Sequence, residues 1–68
     1  MNLIPVVSSN VDMIGYANGI IEVHFLNGYV YQYSGTNQAL FDEFLNSSSK
    51  GRFVHQRLKD QYATTRIR

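Results

Sequence analysis

Sixty-eight residues without a cysteine give room for one hydrophobic core and exclude a disulfide framework or a thiolate zinc site. His24 and His55 are the only imidazoles, too few for a histidine metal cluster, so neither metal nor cofactor is expected. Net charge is +1, but Asp12, Glu22, Asp42 and Glu43 put −4 on residues 1–49, while Lys50, Arg52, Arg57, Lys59, Arg66 and Arg68 against Asp60 put +5 on residues 50–68. A split of this kind points to an anion-facing surface or to a solvated basic helix.

The opening stretch, Met1–Asn10, holds no basic residue and no long apolar run, so neither a signal peptide nor a membrane span is expected and the cytoplasm is the default. Leu3–Val7 can add a strand only at a sheet edge, where Pro5 is tolerated; residues 1–9 are read as an arm or edge strand.

Asn18-Gly19 and Asn27-Gly28 each interrupt an apolar stretch. Asn-Gly accepts the positive φ that both central residues of a type I′ turn need, so the pair predicts strands over 11–17, 20–26 and 29–34. Two-residue loops also fix register. They pair Tyr16 with Ile21 and Ile14 with Val23, then Phe25 with Val30, His24 with Tyr31 and Glu22 with Tyr33. One face then carries Ile14, Tyr16, Ile21, Val23, Phe25 and Val30. The other, mixed and partly wet, carries His24, Glu22, Tyr29, Tyr31 and Tyr33.

Thr36 is read as the N-cap of a helix over 37–47, whose Leu40, Phe41, Phe44 and Leu45 form an apolar stripe. Ser48 or Ser49 caps a second helix over 50–62 with Phe53, Val54, Leu58 and Tyr62 inward and His55 outward. Residues 63–68 read as a loose basic tail. The expected fold is a single α+β domain over 1–68: a three-stranded antiparallel meander followed by two helices packed on one face, β-β-β-α-α. Phe41, Phe44, Phe53 and Leu58 should cover Ile21, Val23 and Phe25.

In order and spacing, Ser8-Ser9-Asn10-Val11, Ile14-Gly15-Tyr16, Val23-His24-Phe25-Leu26-Asn27-Gly28, Tyr31-Gln32-Tyr33, Ser49-Lys50-Gly51-Arg52-Phe53 and Tyr62 resemble the KTSC domain. That family takes its name from the C-terminus of some lysyl-tRNA synthetases and also occurs as short free-standing proteins in bacteria and phages. Gly35-Thr36-Asn37 stands where the family commonly has a Val-Pro lead into its first helix, which changes the cap. The resemblance implies a cytoplasmic accessory or RNA-related module without an established function.

Three surfaces are candidates. Tyr29, Tyr31 and Tyr33, flanked by His24, form an aromatic face able to stack unpaired bases, or simply to cover a thin sheet or a second protomer. Ser47–Arg52 offers a helix start with Lys50 and Arg52 beside it, or merely a serine cap. Arg52, Lys59, Arg66 and Arg68, with Lys50, can contact phosphates. No Ser, Cys or carboxylate stands at a spacing that would make either histidine catalytic, so the chain is read as a non-enzymatic binding module. Its expected partner is RNA or another single-stranded nucleic acid. The alternative is a protein-interaction module, such as a phage-encoded modulator of a host enzyme, and a homodimer would add buried area.

Overall fold

The computed structural model describes all residues, 1–68. It contains β1 (Leu3–Pro5), β2 (Val11–Ala17), β3 (Ile20–Phe25), β4 (Val30–Ser34), α1 (Gln38–Asn46), α2 (Lys50–Phe53), a π-helical turn (Val54–Leu58) continuous with α2, and β5 (Ala63–Arg66). The strands form one antiparallel sheet in the order β1-β2-β3-β4-β5. The three-stranded β-β-β-α-α expectation is therefore corrected: the sheet has five strands, and the last follows the helices. The fold remains α+β.

The first Asn-Gly forms the expected two-residue turn, with Asn18 at φ 52° and Gly19 at φ 79°. It sets Ala17 against Ile20 and Tyr16 against Ile21, as the sequence predicts. Towards the far end of β2 an irregularity between Val11 and Met13 returns Val11 to the core face opposite Phe25.

The second Asn-Gly does something else. Gly28 has φ 95° and Asn27 does not enter the left-handed region. The Gly28 N–H donates to the Phe25 carbonyl (3.0 Å) and the Phe25 N–H to the Tyr29 carbonyl (2.8 Å). This is a three-residue loop, a turn closed by a left-handed glycine. One extra loop residue shifts the pairing by one and turns β4 over. Val23 now meets Tyr31, Ile21 meets Tyr33 and Glu22 meets Gln32. Tyr31 and Tyr33 thus belong to the core face, and Val30 is buried on the opposite one, the reverse of the expected placement. The cause is burial: this register hides two tyrosine rings where the other would hide Gln32 and Ser34.

Both helices cover that face. Phe44 stacks on Phe53 (centroids 4.8 Å apart, 17° between planes), and Leu40, Phe41, Phe44, Phe53, Val54 and Leu58 pack with Val11, Ile14, Ile21, Val23 and Tyr33 into one cluster. Asn37, not Thr36, caps α1, its Oδ1 accepting the Leu40 N–H (2.8 Å). Thr36 is buried instead and ties the start of α1 to the first hairpin, its hydroxyl donating to the Gly19 carbonyl (2.8 Å). Ser49 caps α2. The Lys59 N–H donates to the Val54 carbonyl (2.7 Å), closing the wide turn that ends the helical segment at Leu58, not residue 62. The chain then reverses through Asp60 at φ 63°.

Residues 63–68 are not a loose tail. Ala63–Arg66 pairs with Ser34–Tyr31, and Ile67 and Arg68 continue by hydrogen bonds to Val30. Thr64, Thr65 and Ile67 are β-branched, suited to an edge strand. At the other edge, residues 1–3 lie over Gly15, where a Cβ would come within 2.8 Å of the Asn2 carbonyl oxygen; only glycine fits.

Candidate functional site

Because β4 is turned over, its tyrosines meet the helical layer at the sheet margin. A groove of about 420 Å³ opens there. Phe25, Tyr31 and Tyr33 form its floor, Val54, His55 and Lys59 one wall, and Asp60 and Thr64 the far end. Tyr33 is buried and Tyr31 half-buried. Burial raises the Tyr33 phenol above its ordinary pKa, with the neighbouring Tyr31 adding to the effect, so it stays a neutral hydroxyl.

An aromatic ladder leads out of the groove. Tyr31 meets Phe25 edge-on (5.6 Å, 72°) and Tyr29 nearly face-on (6.4 Å, 22°). Tyr29 is exposed, and the Arg66 guanidinium carbon lies 4.2 Å from its ring centre. Arg66 reaches it from β5, where it is the direct partner of Tyr31.

The family model of the KTSC domain matches residues 7–62. The chain belongs to the KTSC domain family. The crystal structure of a KTSC domain protein from Yersinia pestis is similar over 98% of this chain and 97% of that one, with 33% identity and a TM-score of 0.89. No curated protein sequence matches.

Within this KTSC domain the site residues expected from sequence separate into groups. Lys59, Tyr31 and Tyr33 line the groove, and Tyr29 with Arg66 over its ring continues the ladder outward from Tyr31. Arg68 ends the same edge, its backbone bonded to Val30. Arg52 is elsewhere, beside Ser47–Ser49, Gln56 and Arg57 in a smaller hollow. Lys50 folds back to donate to the Ser47 carbonyl (2.6 Å), closing the end of α1. Arg57 pairs with Glu43 (3.3 Å) and covers the Phe53 ring (5.1 Å).

His24 does not flank the tyrosines. It is on the opposite sheet face, its Nε2 2.6 Å from Glu22 Oε2, while Gln32 donates to Glu22 Oε1 (2.8 Å). The Gln32 hydrogen bond, then that from His24, hold the Glu22 carboxyl below its ordinary value, and the N-terminal ammonium acts the same way. His55, read from sequence as an outward helix residue, is exposed as expected, though its place on the groove wall is not readable from its helix alone. Thr64 and Asp60 were equally hidden, since only β5 and the turn before it bring them there. No helix is long and apolar enough to cross a membrane.

Proposed function

We propose that this KTSC domain is a cytoplasmic, non-catalytic module that binds single-stranded RNA or DNA along the aromatic groove. The observation that carries the reading is the aromatic ladder with a cation at each end, Arg66 over the Tyr29 ring and Lys59 in the lining of the groove with Tyr31. Unpaired bases stack on tyrosine rings, about 1–3 kcal/mol each, and cations beside the rings meet the phosphates. A duplex offers no free base faces to the ladder. Exposed Leu26 and Tyr29 at the hairpin tip favour the second reading, a protein-docking surface.

Fluorescence anisotropy with labelled single-stranded RNA, single-stranded DNA and duplex at two salt concentrations tests the proposal. Both single strands should bind more tightly than duplex, and added salt should weaken binding. Lys59→Glu with Arg66→Glu should weaken all ligands alike, whereas Tyr31→Ala should harm single strands most. Millimolar or weaker binding of every ligand at low salt would reject the reading in favour of protein docking.

A further inference from the structure

Both helices cover one side of the sheet, and no element of the chain lies over the other. The strand registers say what stands on that bare face. Met13 lies beside His24, and Glu22 lies between Gly15 and Gln32. The one lysine or arginine in any strand is Arg66, and it pairs with Tyr31 on the helical side. Positive charge is therefore missing from the bare face.

The middle of this face is polar but already satisfied. Glu22 Oε2 meets His24 Nε2 (2.6 Å), and Glu22 Oε1 accepts from Gln32 (2.8 Å). The Glu22 and His24 side chains are only 17% and 15% exposed, and no buried side-chain nitrogen or oxygen lacks a partner. A surface laid over this network would strand no polar group. Around it the face is apolar. Met13 and Ile20 are half-buried, and the Met1 side chain lies across Gly15, its Cγ 3.0 Å from where a Cβ would stand. Met1 and Met13 are the chain's two methionines, a residue type enriched where proteins meet, whereas charged residues are depleted there.

We infer that the bare sheet face is the contact between two copies of this chain, related by a two-fold axis. Nucleic acid and an anionic lipid surface both call for cations, which this face lacks. The area suits a second copy. The molecule measures 26 × 25 × 24 Å with 4256 Å² of accessible surface, so one of its six sides amounts to about 700 Å² and two in contact remove about 1,400 Å², the size of a specific interface. Stability points the same way: 14 of 68 residues are buried, no disulfide staples the chain, and association is a standard remedy for so small a core. The two sheets would stack about 10 Å apart. Both aromatic grooves, on the helical sides, stay open, so the inference stands independently of the single-strand reading.

Sedimentation equilibrium of the full chain, from about 1 μM upward, tests this. The mass should rise with concentration from 7.8 kDa to twice that value. Met13→Lys with Ile20→Lys sets like charges against each other and should raise the dissociation constant about a hundredfold or more. Ala39→Lys, at an exposed position of α1, should leave it unchanged. In a mixture of unlabelled chains and chains carrying isotope-labelled methionine methyl groups, the Met13 methyl should show nuclear Overhauser contacts to the unlabelled copy. Those contacts decide the matter if the lysine pair unfolds the domain. A single 7.8 kDa species at every concentration would overturn the inference. So would a dimer that the folded lysine pair leaves intact, or one without contacts between copies at Met13.

Discussion

The two hairpins carry the same dipeptide and fold differently. Asn18 and Gly19 both take positive φ, whereas at the second turn only Gly28 does. In the first, a two-residue loop already places Tyr16 and Ile14 on the same face as Ile21 and Val23. In the second, a two-residue loop would have turned Tyr31 and Tyr33 away from the helices. An Asn-Gly pair says that the chain turns; the apolar pattern of the following strand says over how many residues.

The sharpest way to break this comparison is at Tyr33. If burial of the β4 tyrosines selects the longer loop, Tyr33→Ala should cost about 3–5 kcal/mol in urea unfolding, enough to endanger so small a domain. A loss under about 1 kcal/mol, within the ordinary range for a surface change, would mean the ring faces outward and the shorter loop is right.

A smaller difference should appear at the asparagines. Asn18→Ala places alanine in the left-handed region and should cost about 1 kcal/mol. Asn27→Ala loses only an exposed hydrogen bond to the Tyr29 N–H and should cost about half as much. Thermal midpoints of the two variants measure this, and equal shifts would argue for equal turns.

The smallest effect lies in acid. Gln32 faces Glu22 only in the register of the longer loop. The folded-state pKa of Glu22 is below its ordinary 4.5, so its contribution to stability is complete above that pH and disappears as pH falls through the lowered folded value. Glu22→Gln should therefore flatten the acid limb of a stability–pH curve and leave the neutral plateau lower. An unchanged acid limb would place Gln32 away from the carboxylate.

Local signals explain what was legible. The first hairpin, the apolar stripe of α1 and the serine cap of α2 depend on residues close in sequence. So does much of the core, because Leu40, Phe41 and Phe44 stand at helical spacing in α1 and Phe53 and Val54 are the apolar residues that follow the α2 cap. Strand β5 was illegible for the opposite reason: Ala63–Arg66 has no apolar alternation, and its partner lies about thirty residues earlier. The candidate site inherits both misreadings. Lys59, Arg66, Tyr29 and Tyr31 are readable one by one, but their meeting requires the flipped register and the fifth strand together.

That fifth strand also separates the durability of the site from that of the fold. Ala63–Arg66 is exposed at every residue and paired along one edge only, whereas the core cluster draws nothing from it. Its amides should exchange with solvent through local opening, at a lower free energy than those of β2 and β3. Each opening carries Thr64 and Arg66 away from the groove while the helices remain packed on the sheet. A strand bound across the tyrosines and held by Arg66 would slow that exchange, so protection of β5 alone reports occupancy of the groove in an otherwise unaltered domain.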